Sequence, residues 1–223
     1  MAHLHASVMV PPKLELVTGW LRRQPWADGD LEGPLERVGA FRWDDPAGEV
    51  GVEVLLFATR DGVLLHVPAT YRDAPLEGAD EHLMGTTEHS VLGRRWVYDG
   101  CADPVWATAA SRAALTGGHQ AEERLEAADG TVTVREPSVR AHGTGSAGAG
   151  SVPAVTGAAD VVVRLEEGVT VVEVAGQRLD VPRVLDRSAP AGVAGTRADG
   201  TEAVLATWAG QESPVALVVA SRP

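Results

Sequence analysis

The sequence predicts an α+β protein: antiparallel β-sheets with a few flanking helices, and a C-terminal third that is almost all strand. Three observations carry that expectation. In EVGVEVLLFATRDGVLLHVPATYR (49–72) two β-rich runs flank Arg60-Asp61-Gly62, and Asp-Gly is a strong tight-turn signal. DPVWATAASRAAL, from Asp103, opens with Asp at a helix cap and Pro in the first turn and stops at Gly117-Gly118. Residues 160–223 are β-rich and punctuated by Glu167-Gly168, Gly176 and Asp199-Gly200, the pattern of three hairpins.

The remaining elements follow in chain order. KLELVTGWLRRQPW (13–26) sets Leu14, Val17, Trp20 and Leu21 on one side at helical spacing, so a short amphipathic helix is expected before Pro25. LERVGAFRWDD (35–45) is a predicted strand closed by Asp-Asp-Pro. Residues 73–88, with Pro, Gly and acids, form a loop or irregular helix, after which HSVLGRRWVYD resumes as strand with a bend at Gly93. HQAEERLEAA reads as a second short helix, and TVTVREPSV (131–139) as a strand. AHGTGSAGAGSVPAVTGAA (141–159) has the composition of a flexible linker or long loop.

Composition removes several functional classes. A net charge of −12 spread along the chain, with basic doublets only at Arg22-Arg23 and Arg94-Arg95, is unsuited to neutralising phosphates on nucleic acid. No stretch approaches 18 uninterrupted apolar residues, the N-terminus lacks the basic start of a signal peptide, and the default address is the cytoplasm. Cys101 is the lone cysteine, which excludes an internal disulfide and a Cys-rich zinc site. The 19 basic residues include one lysine, Lys13, near the N-terminus. Enzymes that transfer phosphoryl groups commonly set a lysine on the nucleotide phosphates, and the body of this chain has none.

Candidate site residues gather in EHSVLGRRWVYDGCADPVW (88–106). Glu81-His82 and Glu88-His89 are spaced for metal ligation only on a continuous helix, which Gly85 opposes, so no metal or cofactor is expected. His89, Ser90 and Asp99 lack the strand–turn–helix elbow that makes a hydrolase triad. Trp96, Tyr98 and Trp106, with Trp20, Trp26 and Trp43, anchor the core or form a stacking surface for sugars.

GWLRRQPW (19–26), the run 67–106 and VTVREPSV (132–139) resemble the N-terminal cap domain of actinobacterial sugar kinases, the maltokinases and related glucosamine kinases. The resemblance implies a cap-like α+β domain over 1–140, followed by a linker at 141–159 and a β-rich extension at 160–223. It supplies no catalytic residue, and after residue 140 the nucleotide loop, lysine strand and catalytic aspartates of such kinases are not found. The extension is then either a relic of a kinase N-lobe or a completion of the cap's own sheet. Three readings follow. The first is a non-catalytic protein acting by interaction with a sugar kinase or other enzyme of carbohydrate metabolism. The second is a binding module for a sugar or sugar phosphate, with Tyr71, Arg72, Trp96 and Tyr98 lining the pocket and Arg72 or Arg95 as an anion fork. The third is an enzyme built on Glu88 and His89; these two, with Asp99, also count among the ligand-binding candidates. A protein partner and a sugar ligand are the expected partners; nucleic acid and membrane are not.

Overall fold

Alternating side chains build the first sheet. The computed structural model describes residues 2–5, 8–126, 131–148, 155, 157–187 and 201–221. Strand β1 (Ala2–His5) precedes the two-residue β2 (Met9–Val10) and helix α1 (Lys13–Leu21). The long strands β3 (Glu36–Trp43), β4 (Gly51–Ala58) and β5 (Leu64–Arg72) follow, then the hairpin β6 (Leu83–His89) and β7 (Gly93–Asp99). All pair antiparallel in the order β2-β6-β7-β5-β4-β3. The segment 73–88 is therefore a short 3₁₀ turn at Asp80–His82 followed by strand β6. The turn of this hairpin brings His89 opposite Gly93, and Trp96 opposite Thr86, which separates His89 from Trp96.

Both faces of this sheet are buried, as the near-continuous apolar runs of β4 and β5 require. On one face α1 packs Leu16, Val17, Trp20 and Leu21 against Leu55, Phe57, Leu65, Val67 and Val97. The helix starts at Lys13, so Leu14 falls in an exposed first turn and Leu16 takes its expected place in the core. Nine residues are too few to hold a helix alone. Burying each large apolar side chain contributes about 1.5–3 kcal/mol, which makes docking the source of its stability.

The opposite face meets α2 (Pro104–Thr116) and a second sheet. Asp103 caps α2 by accepting from the Val105 N–H, and the helix ends at Gly117 in the left-handed conformation (φ 70°). Arg72 donates to both Asp103 oxygens at 2.7 and 2.8 Å, and Thr70 Oγ1 donates at 2.7 Å, fixing the helix start to β5. The run after α2 is strand β8 (Glu123–Glu126), not a helix. It pairs parallel with β1 and antiparallel with β9 (Val132–Arg135), so pairing across the chain overrides a locally helical composition.

The second sheet is formed by β10 (Val139–Gly143), β11 (Val161–Glu166), β12 (Val169–Val174), β13 (Gln177–Pro182), β15 (Glu202–Trp208) and β16 (Gln211–Ser221), in the order β10-β15-β16-β13-β12-β11. Between β13 and β15 the two-residue β14 (Val184–Leu185) crosses back to pair with β5. The C-terminal third thus builds the second sheet together with β10, and among the described residues its strand β14 pairs with the first sheet. Turns fall at Glu167-Gly168 and Ala175-Gly176, all four at positive φ, and at Gly210; Asp199-Gly200 lies outside the described residues.

The start of the Gly/Ala/Ser-rich run is also ordered by pairing. Gly143 and Gly145 donate their N–H groups to Gly118 and Ala114 carbonyls at the end of α2. A Cβ on Gly143 would lie 1.6 Å from the Ala113 carbonyl oxygen, so glycine here serves close approach. Where the sheets meet, Arg183 forms a buried ion pair with Asp99 at 2.5 Å, donates to Thr170 Oγ1 at 2.8 Å, and lies 4.9 Å from the Trp26 ring centroid. Four of the tryptophans, Trp20, Trp43, Trp106 and Trp208, are core residues, with Trp43 and Trp106 rings 6.1 Å apart.

Candidate functional site

The face of the first sheet that packs on α1 changes character along its strands. Beneath the helix, alternate positions supply Ala40, Leu55, Phe57, Leu65, Val67, Ala69 and Val97. Past the helix start the same rows continue as Arg42, Glu53, Tyr71 and Arg95, by the two-residue period of each strand. An apolar floor becomes a charged one where the helix stops covering it.

Glu53 is the centre of that floor, 3% exposed. Its Oε2 accepts from Lys13 Nζ at 2.5 Å and from the Tyr71 hydroxyl at 2.8 Å. Arg42 and Arg37 approach the same carboxylate at 3.6 and 4.0 Å, beyond hydrogen-bonding distance. Burial on its own would raise the Glu53 carboxyl, but the charges of Lys13 and Arg42 and the hydrogen bonds from Lys13 and Tyr71 outweigh it and hold the group at about 2. Burial, reinforced by the Glu53 charge, pushes the Tyr71 phenol well above its ordinary value. Burial also draws the Lys13 ammonium down against the opposing pull of Glu53, with Arg42 adding to the lowering. Three cations share one carboxylate, so the pull of Glu53 on Lys13 does not offset the burial of the ammonium and the repulsion from Arg42 and Arg37.

A carboxylate this acidic is a poor proton acceptor near neutral pH, and Tyr71 stays protonated there. The cluster is suited to holding charge in place, and thereby to binding. It floors a cleft of about 550 Å³ whose walls include Met9, His89 and Leu92 on one side and Glu123, Leu125 and Arg135 of the β1-β8-β9 sheet on another. Arg135 pairs with Glu123 at 3.4 Å. Lys13, at the start of the helix the sequence predicts, is the first residue of α1 and is tied to the sheet. A lysine at a helix start opposes the helix dipole, so its position answers to Glu53 and not to the helix.

The eight residues singled out from the sequence divide between places. Tyr71, His89 and Arg95 line this cleft. His89 Nδ1 accepts from the Val91 and Leu92 N–H groups at 3.3 and 3.1 Å. Glu88 forms an exposed pair with Arg94 at 2.7 Å. Arg72, Trp96 and Tyr98 lie on the opposite face of the sheet. Arg72 is engaged by Asp103, Trp96 packs half-buried against the small cluster of Leu76, Ala79 and Tyr98, and the Tyr98 hydroxyl accepts from the Leu76 N–H at 2.9 Å. Asp99 is committed to Arg183. The structure does not bring Glu88, His89 and Asp99 together as one catalytic group: Asp99 stands at the far end of β7 from the Glu88-His89 hairpin end. The Cys101 thiol, pushed well above its ordinary value by burial, lacks the character of a nucleophile.

A larger cleft of about 870 Å³ opens on the other face, between the 44–50 turn and α2. Its walls combine apolar and small side chains, Trp43, Val50, Val105, Ala109 and Ala113 among them, with charged ones of both signs, Asp44, Asp45, Glu49, Glu122, Arg72, Arg112 and Arg124. Converging buried charge is found in the smaller cleft, which makes that one the better site. Among the described residues no helix is long and apolar enough to cross a membrane.

Residues 20–103 match the family model of the maltokinase N-terminal cap domain. The match spans α1 from Trp20 through β3–β7 to the cap of α2, so this part of the chain is a cap-like domain. No curated protein matches the chain. The matched region contains Arg37, Arg42, Glu53, Tyr71 and Arg95, while Lys13, Glu123 and Arg135 lie outside it.

Proposed function

We propose that the chain works in the cytoplasm as a non-catalytic cap module that acts by binding a sugar kinase or another enzyme of carbohydrate metabolism. The match of residues 20–103 to a kinase cap carries this reading. An exposed apolar edge supports it. Val8, Val10 and Leu14 are exposed beside β2, the outermost strand of the first sheet, and Val91 and Leu92 are exposed in the adjoining β6–β7 turn. Backbone and side-chain hydrogen bonds join Val8 to Ser90, so these residues share one edge. Open apolar edges invite pairing with another chain.

The test is titration of the purified chain into a maltokinase whose own cap has been deleted, followed by calorimetry and by maltose phosphorylation. Saturable binding that alters the kinase's kcat or KM, and that is weakened at least tenfold by Val10→Glu with Leu92→Glu, is the expected result. Phosphorylation of maltose from ATP by the chain alone would overturn the non-catalytic reading, and absence of binding would overturn the kinase partner. A small-molecule binding module is a second reading, favoured by the buried Glu53 cluster.

A further inference from the structure

The Glu53 cluster holds more positive charge than its own contacts use. Lys13, Arg42 and Arg37 surround a single buried carboxylate. Lys13 spends a hydrogen bond on it, but the two guanidiniums stand at 3.6 and 4.0 Å and keep their donors unspent on Glu53. Arg95 adds a third guanidinium to the cleft. Arg95 lines the same cleft, donates from one terminal nitrogen to the Leu92 carbonyl, and has its buried Nε without a hydrogen-bond partner. Buried polar groups are normally satisfied, and a buried donor facing a cleft is a reason to look for a ligand. Planar guanidiniums are the side chains best matched to the paired oxygens of phosphate or carboxylate.

We propose that this cleft binds a small, hydroxyl-bearing molecule through an oxyanion, a phosphate or carboxylate group, held by Arg37, Arg42 and Arg95. Glu53 is a positioning residue: by engaging Lys13 and the Tyr71 hydroxyl it fixes the floor against which the arginines are arrayed. The acidic side chains of the cleft are placed for a different task. Glu123 is neutralised by Arg135, and the Asp45 carboxylate accepts the Ala47, Glu49 and Val50 N–H groups in the 44–50 turn. Asp44, Asp45 and Glu49 line the β3–β4 end of the cleft, the end at which the ligand's hydroxyls would lie. A cleft of about 550 Å³ falls in the range of small-molecule sites.

The inference deepens the small-molecule reading and is independent of the kinase partner, so either titration can fail while the other succeeds. The experiment is a thermal-shift and calorimetric titration of the full chain with glucose 6-phosphate, gluconate, inorganic phosphate and glucose, at constant ionic strength set with sodium chloride. At about 100 times its dissociation constant a ligand specific to the native state raises the melting temperature of a chain this size by roughly 5–10 °C. We expect that shift with glucose 6-phosphate or with gluconate, the responding anion naming the source, and a loss of affinity of at least tenfold in Arg37→Gln and Arg95→Gln. Arg37 is exposed enough for its variant to keep the unliganded melting temperature near that of the parent chain; Arg42→Lys and Arg95→Lys, which keep charge but not the fork, are the checks at the more buried positions. A shift with glucose equal to that with the anions, a shift that persists in both variants, or no shift with any anion overturns the proposal.

Discussion

At the scale of single residues, the floor of the cleft rests on Glu53. Removing one member of a buried charge group costs more than the group contributes, because the remaining charges lose their compensation; the expected penalty is about 3–5 kcal/mol. Glu53→Gln leaves Lys13, Arg42 and Arg37 facing each other, and we expect a loss of that size in urea unfolding at pH 7. Its pH dependence identifies the cause. The Glu53 carboxyl is held at about 2 in the folded chain against an ordinary 4.5, so the unfolded chain binds the proton first as pH falls. Its stabilising effect is complete above pH 4.5 and declines toward pH 2, so by pH 3 the penalty of the substitution should have shrunk by about 2 kcal/mol. An unchanged penalty at pH 3 would assign the loss to packing. Part of this was legible: Glu53 is the one charge inside GVEVLLFA, and Lys13 is the one lysine of the chain. What periodicity could not supply was their meeting, which depends on α1 docking across the sheet between residues 40 apart. For the same reason, the aromatic-rich run 88–106 stands out in the sequence although the polar groups of its Tyr98 and Asp99 are consumed by Leu76 and Arg183, while Arg37 and Arg42 carry no local signal.

At the scale of elements, local signals were sufficient wherever the chain itself closes the hydrogen bonds. The β4–β5 hairpin, the capped start of α2 and the Glu167-Gly168 turn were each readable from turn and cap chemistry. They failed where the partner is distant. β8 is a strand because β1 and β9 flank it, and 141–145 is ordered because α2 and β15 accept it. Gly143 shows how composition misled: in a run that resembles a flexible linker, it is glycine because a helix carbonyl leaves no room for a Cβ. Gly143→Ala should therefore destabilise by roughly 2–3 kcal/mol, since the obstruction is backbone on both sides and cannot rotate away. In a chain of this length that lowers the melting temperature by about 5–10 °C. Gly148→Ala is the control, because an added Cβ there meets nothing within 4 Å. Equal melting temperatures for the two variants would show that 141–145 does not rest on α2 as described.

At the scale of the whole molecule, the two sheets are joined by a buried seam in which one member, His66, is held neutral. His66, in the middle of β5, donates its Nδ1–H to the Pro182 carbonyl at 2.8 Å, and its backbone N–H to the Arg183 carbonyl. That fixes the neutral tautomer and leaves Nε2 buried without a partner. Protonating Nε2 would place a cation in the core close to Arg183. Burial therefore holds the imidazole at about 3, the Pro182 hydrogen bond opposing and the Arg183 charge adding to the depression. The unfolded chain, with its histidine near 6.5, binds the extra proton throughout the interval between these values. Stability linked to His66 is thus complete above pH 6.5 and falls with acidification toward pH 3, by about 1.4 kcal/mol per pH unit. Between pH 7 and pH 5 the parent chain should lose about 2 kcal/mol through this group. His66→Gln retains a side-chain N–H for the Pro182 carbonyl but has no titration in this window. Urea unfolding of both proteins at pH 7 and pH 5 measures the difference directly. If the variant loses as much stability as the parent on acidification, His66 is not the acid-sensitive link between the cap-like sheet and the second sheet. If the parent's extra loss disappears in the variant, separation of the sheets starts at this seam, well before Glu53 titrates, and acid will open the molecule before it disarms the cleft.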